Sequence, residues 1–179
     1  YRKNSNNLST KASNFAVNGG FEKNKYSISD DALDEGSELG AFRHALWQAE
    51  ITSKFGPLTA WKAGAAHERN PMADLQKMEF DNLAEADQTA DLLNNIIGRE
   101  IGIQHGDSSM RGLANQVLET FYRDGLYTAT EYEEGKWRIE RKLLSQDKYE
   151  KAKSIFEMIG ENGMLTKKNN DAYFYSYSD

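Results

Sequence analysis

From Ala41 onward the chain sets small and apolar residues at helical spacing against polar ones. Ala41, Ala45, Leu46, Ala49 and Phe55 recur up to the stop at Gly56-Pro57, which predicts a helix over 41–55. Leu58 to Glu68 reads as a second helix, Ala-rich enough for close packing and ending near Asn70-Pro71. The short connection makes these two antiparallel neighbours. A third helix is predicted over 82–103, where Leu83, Ala86, Ala90, Leu93, Ile97 and Ile101 fall three and four apart. After the HGDSS segment a fourth runs over 110–122 through Leu113, Val117, Leu118 and Phe121, closed by Asp124-Gly125.

Thr and Tyr content rises from Leu126 to Leu144 and Glu134-Gly135 offers a turn, so a small β-hairpin is expected there, followed by a helix over 148–159. Residues 1–39 are rich in Asn, Ser, Lys, Asp and Gly, with Phe15, Val17, Phe21 and Ile28 at neither helical nor strand period. They read as a polar linker or extended arm, leaving 40–179 as a single helical domain. The tail alternates Tyr173, Tyr175 and Tyr177 with Phe174 and small polar residues, which suits an edge strand or an arm laid on the body. The fold class is therefore mainly α, a compact helical bundle with a small β-hairpin.

Composition narrows what such a bundle does. The chain has 179 residues, the size of one ordinary domain, with 22 Lys and Arg against 28 Asp and Glu and a net charge of −6. That surplus repels a phosphate backbone at long range and disfavours a general nucleic-acid binder. The 39% hydrophobic content is that of a normal core diluted by polar ends. There is no cysteine, which removes disulfides, thiolate metal sites and Cys nucleophiles together. No apolar run approaches the ~18 residues that span a bilayer, and the N-terminus lacks the layout of a signal peptide. The start at Tyr1 reads as a chain processed or excised from a longer polypeptide.

Three histidines, His44, His67 and His105, are present, and two of them stand in dense polar motifs on adjacent predicted helices. His44 lies in GAFRHALWQAE, with Gln48 one turn on. By itself it reads as a core histidine hydrogen-bonded to a neighbouring helix. His67 and Glu68 close the second helix, where a histidine can cap the negative end but a carboxylate is on the unfavourable side of the helix dipole. In ADLLNNIIGRE, Asp91, Asn95 and Arg99 share a stripe, with Asn94 and Gly98 alongside. Two Asn and a Gly inside a helix cost roughly 1–2 kcal/mol relative to Ala. The stripe is thus expected to line a site, join a buried network, or mark a tight helix crossing at Gly98.

Imidazole from His44 and His67 and carboxylate from Glu68 and Asp91 form a ligand set for zinc, manganese or iron, with an open position able to activate water. A metal-free site is the alternative, with one histidine as general base, a carboxylate orienting it, and Asn94, Asn95 or Arg99 meeting substrate charge. The catalytic candidates are therefore His44, His67, Glu68 and Asp91, and the substrate-binding candidates Asn94, Asn95 and Arg99.

The order FRHALW, AHE and DLLNN-IIGR resembles a family of largely uncharacterised bacterial domains at the C-terminal ends of large secreted proteins, including polymorphic toxins and wall-associated proteins. The resemblance covers Gly40 to Gly102 and rests on Phe42, Arg43, His44, Trp47, His67, Glu68, Asp91, Asn94, Asn95, Gly98 and Arg99. A more distant similarity is to the helical HD-type metal phosphohydrolases, with His44, His67-Glu68 and Asp91 in series and Glu68 standing where that family has Asp. These resemblances imply a toxin tip, secreted or delivered into a target bacterium as the C-terminal part of a larger protein and matched by a cognate immunity protein.

The leading expectation is an antibacterial effector hydrolysing a phosphoester or lipid-linked envelope substrate. A nuclease toxin is the second reading, resting on Lys136, Arg138, Arg141 and Lys142. A non-catalytic helical binding module, its His and Asn serving as buried network residues, is the third.

Overall fold

The computed structural model describes residues 7–25, 34–68 and 70–166. In chain order these form α1 (Leu8–Asn18), α2 (Glu38–Phe55), α3 (Pro57–His67), β1 (Glu79–Phe80), α4 (Leu83–Gln104), α5 (Met110–Arg123), β2 (Leu126–Glu133), β3 (Lys136–Lys142) and α6 (Gln146–Met158). The protein is mainly helical with one small antiparallel sheet of order β1-β3-β2. Side chains that supply the missing backbone partners set the helix starts: Asn7 accepts from Thr10 N–H, Ser37 from Gly40, Asn82 from Glu85, Ser109 from Gly112 and Ser145 from Lys148. α3 has no such cap and begins instead with Pro57, whose missing N–H needs no partner there. Among the described residues no helix is long and apolar enough to cross a membrane.

α2 is the central helix, and its closest neighbour is α4. Ala45 faces Gly98 and Ala49 faces Gly102, so the two helices run in the same direction with their backbones nearly touching. A Cβ on Gly98 would collide with the Ala45 carbonyl oxygen, and one on Gly102 with that of Ala49. We expect Gly98→Ala to cost about 1–3 kcal/mol, because the obstacle is backbone and cannot rotate away. Gly106→Ala, whose new carbon would meet only the Gly102 carbonyl at 3.7 Å, should stay within about 0.5 kcal/mol. Urea melts of the two variants check this.

The main core lies between α1, α2, α5 and α6. Phe42 of α2 stacks on Phe21 at 4.4 Å and meets Phe156 of α6, which in turn takes Phe15 of α1 edge-on at 5.3 Å. The polar linker read over 1–39 is therefore corrected. Residues 8–18 are helical, with Ala12, Phe15 and Ala16 fully buried, and Phe21 seals the same core. The body thus begins at α1 and not at residue 40, and α2 begins at Glu38. A single stripe of three small or aromatic residues inside polar sequence carries this, too sparse to register as a period.

The expected hairpin is present, turning at Glu134-Gly135, with Thr128 opposite Glu140 and an irregularity between Glu131 and Glu133. β1 adds a two-residue third strand that the sequence reading did not anticipate. Trp137 and Ile139 on β3 cover Ala86 and Ala90 of α4, forming a second, smaller core with Phe80. Where β3 ends, Lys148 and Lys142 clamp Glu22 and the buried Glu38, and hold the Glu22 carboxyl down at about 2. The tail bearing Tyr173, Phe174, Tyr175 and Tyr177 lies outside the described residues.

Candidate functional site

The N-terminal half of α2, the C-terminal end of α3 and the middle of α4 meet, and each delivers part of one site. α2 and α4 are held in register by the Ala45–Gly98 contact, so His44 of α2 faces Asn95 of α4, its Nδ1 lying 3.2 Å from Asn95 Oδ1. α3 returns antiparallel and ends at His67, with Glu68 turning into extended backbone as its C-cap, which brings His67 and Glu68 over His44. The imidazole centroids of His44 and His67 are 5.6 Å apart, and Trp47 stands edge-on to both. His44 is buried, His67 is exposed at the rim, and Glu68 is intermediate.

His44 has a partner on every side. Arg43 Nη2 donates to its Nε2 at 2.7 Å, so the ring proton belongs on Nδ1, facing Asn95. Asp91 Oδ2 lies 3.2 Å from Nε2, and Glu68 Oε1 lies 3.9 Å from Nδ1. Burial, reinforced by Arg43, holds His44 well below its ordinary value, and the same two causes lower His67. Both imidazoles are therefore neutral at neutral pH, the form that ligates metal. Burial pushes the Asp91 carboxyl well above its usual range, with Asp87 and Glu68 adding like charge, and burial also raises Glu68.

Beside this cluster opens a cleft of about 300 Å³ lined by Asp34, Glu35, Glu68, Asp87 and Asp91, with Arg43 and His67 as the groups able to carry positive charge. Arg43 ties its other arm to Asp34 at 2.8 Å. Asp87 accepts from Gly36 N–H, yet burial and the nearby Glu35 and Asp34 push its carboxyl up to about 7. A carboxyl that holds its proton longer in the folded chain than in the unfolded one weakens folding as pH rises from about 4 to about 7. Asp87→Asn keeps an acceptor for Gly36, so in metal-free protein it should gain stability on the order of a few kcal/mol at pH 7.5 and nothing at pH 3.5. Melting temperatures of the two proteins that run parallel from pH 3.5 to 8 would contradict this.

The donor set fits one divalent ion. Single ligand atoms from His44, His67 and Glu68 all lie within 4.8 Å of one another, and Glu68 Oε1 is buried with no hydrogen-bond partner. Two histidines and one glutamate with a position left over is the composition of a catalytic zinc site. Asp91 does not belong to that set of three. It touches the opposite ring nitrogen of His44, so the expected four-ligand grouping divides into three ligands and one residue that supports His44. An ion on Nδ1 requires the other tautomer, with the ring proton on Nε2: Arg43 then turns away from that nitrogen, and the Asp91 carboxylate is in place to accept its hydrogen bond.

The other candidates separate. Asn95 stays at the site, but Asn94 does not: fully buried, it accepts from Tyr127 N–H and donates to Tyr127 C=O at 2.9 Å each, tying α4 to β2 as a strand neighbour would. Arg99 reaches away from the carboxylates and donates to Gln48 Oε1 at 3.1 Å. His105 closes the C-terminus of α4. The basic cluster on β3 is largely spent on ion pairs, Lys136 with Asp81, Arg138 with Glu79 and Lys142 with Glu22 and Glu38, while Arg141 lies over the Tyr127 ring. Three of the four charges are thus paired with carboxylates among the described residues.

Sequence reasoning gave Arg43, Gln48 and Asp87 no role. For Asp87 the signal was present, since it stands one helical turn before Asp91 on the same stripe of α4. No curated protein and no solved structure matches the chain. The family model described as Domain of unknown function (DUF6973) matches residues 6–125, spanning α1 to α5 and all the site residues above, and the chain belongs to that family.

Proposed function

We propose that the protein is a metal-dependent hydrolase of phosphoesters, acting as an antibacterial effector on a phosphorylated or lipid-linked envelope substrate. One observation carries the reading: a neutral pair of histidines and a glutamate whose buried Oε1 has no hydrogen-bond partner sit at the edge of a cleft lined by five carboxylates. A phosphoester anion entering that cleft bare would be repelled, so a cation has to accompany it. His44, His67 and Glu68 would hold a zinc or manganese ion, which supplies Lewis acidity toward the phosphoryl oxygens and lowers the pKa of water.

The chain's own groups do the rest. Asp91 fixes the His44 ring from the far side, and Trp47 walls the two imidazoles off from one flank. Arg43, already beside His44, neutralises a phosphoryl oxygen. Water attacks phosphorus as the bond to the leaving oxygen breaks. Asp87, whose proton affinity lies close to neutral pH, accepts the proton from water and returns one to the leaving oxygen. The acidic cleft and the ion-paired β3 cations favour a small or lipid-borne phosphoester over bulk nucleic acid.

The test is calorimetric titration of chelator-stripped protein with zinc and manganese, beside hydrolysis of bis(4-nitrophenyl) phosphate. One ion per chain is expected, with hydrolysis lost on chelation and in His67→Ala. Expression in the periplasm, and not in the cytoplasm, should lyse the host, and a cognate immunity protein should prevent it. Protein that takes up no ion at micromolar concentrations and shows no chelator-sensitive hydrolysis is a binding module instead.

A further inference from the structure

Farther along the seam between α3 and α4 from the acidic cleft lies a second cavity, of about 110 Å³. Its walls are apolar, chiefly Trp61, Leu75, Leu92 and Ile96, and among its lining residues Arg99 is the only charged one. Arg99 is half-buried and its one hydrogen bond is to a neutral oxygen, that of Gln48. Among the described residues it has no ion-pair partner, and only Glu100, next along the helix and exposed, acts on its charge.

Asn95 lines the floor of the cavity, and the Gln48 amide lies behind Gly64, outside the lining. Gln48 and Asn95 are 0% and 1% exposed, and their Nε2 and Nδ2 groups are buried without a partner. Both amides are locked in that orientation, since Gln48 Oε1 is taken by Arg99 and Asn95 Oδ1 faces His44. They converge beneath Gly64, where an added Cβ would stand 3.0 Å from Gln48 Nε2 and 3.4 Å from Asn95 Nδ2. Gly64, itself a lining residue, leaves room beside the Asn95 amide. Leaving two buried amide donors unmade is costly, and here the unmade donors lie beside an uncompensated cation.

We propose that this cavity binds a small amphiphilic monocarboxylate, its carboxylate on Arg99 and Asn95 and its alkyl chain against Trp61, Leu92 and Ile96. One guanidinium matches one negative charge, and the Asn95 amide donor fills a remaining carboxylate lone pair. A phosphate dianion would bring a second charge into apolar walls that offer no second cation. The size of the cavity admits a chain of a few methylenes. This site does not rest on the proposed hydrolysis. Asn95 alone belongs to both places, through Oδ1 on one side and Nδ2 on the other.

The experiment is an NMR titration of metal-free protein with hexanoate, acetate, 1-hexanol and inorganic phosphate, following the side-chain amide resonances of Gln48 and Asn95. Hexanoate should move both, roughly 10–100-fold more tightly than acetate because the chain is buried, and more tightly than 1-hexanol or phosphate. Arg99→Gln should weaken hexanoate at least about tenfold, and Gly64→Ala should do the same by filling the floor. Trp61→Ala, at a half-exposed residue, keeps the test open if either of those fails to fold: it should flatten the dependence on chain length. Hexanoate that binds no better than 1-hexanol, that is held equally by Arg99→Gln or that yields to phosphate overturns the proposal. So does an absence of shifts at millimolar concentrations, which would mean that the donors hold water only.

Discussion

Phe15→Ala is expected to remove about 3–5 kcal/mol from a fold whose total stability is on the order of 5–15 kcal/mol. The ring is fully buried, meets Phe156 edge-on at 5.3 Å, and belongs to the same aromatic cluster as Phe21, Phe42 and Phe121. Truncation leaves a hole that α1 cannot close by sliding, because Gly163 lies directly against Asn14 and Phe15 on the other side. Asn14 and Asn18 are moreover fixed to the carbonyls of Asn162 and Gly163. Val17, on the same helix but 54% exposed, supplies the control: Val17→Ala should stay within about 0.5 kcal/mol. Equal denaturant midpoints for the two variants would return α1 to the status of a loosely attached arm.

That contrast marks what the sequence could tell. α2 to α5 were legible because each carries apolar residues three and four apart over several turns, with punctuation at Gly56-Pro57 and Asp124-Gly125. The hairpin was legible through its Thr and Tyr content and its turn. α1 was not, since it buries its few apolar residues against α2 and α6, partners far away in the chain, and nothing local announces them. The grouping of His44, His67, Glu68 and Asp91 could be suspected from motif density alone. Their division into three atoms facing one point and a carboxylate behind the ring could not, because it depends on the rotation of a single imidazole fixed by Arg43 and Asn95. Asn94 and Asn95 are adjacent in sequence and alike in chemistry. They part company only because neighbouring positions on a helix point about 100° apart, one toward β2 and the other toward α2.

Glu68→Gln should separate folding from metal binding, because the two respond in opposite directions. In the metal-free protein Glu68 is a cost: burial raises its carboxyl above the unfolded value, so ionisation opposes folding increasingly as pH climbs past about 4.5. Its Oε1 receives no hydrogen bond in return. Glutamine has nearly the same shape, keeps an oxygen and carries no charge, so stripped Glu68→Gln protein at pH 7.5 should melt at a higher temperature than the parent. The metal-bound state should show the reverse. Loss of an anionic ligand should lower zinc affinity by more than the roughly 10–100-fold that follows removal of a supporting residue. Asp91→Asn supplies that lesser effect, since Asp91 touches His44 on the far nitrogen and is absent from the three-donor group. Melting curves with and without zinc, on both variants, read all four quantities. If Glu68→Gln melts lower than the parent without metal and binds zinc as well as the parent, then Glu68 serves the fold, and the ion, if any, sits elsewhere. If Asp91→Asn loses more zinc affinity than Glu68→Gln, the ion lies on Nε2 of His44, and the roles of the two carboxylates exchange.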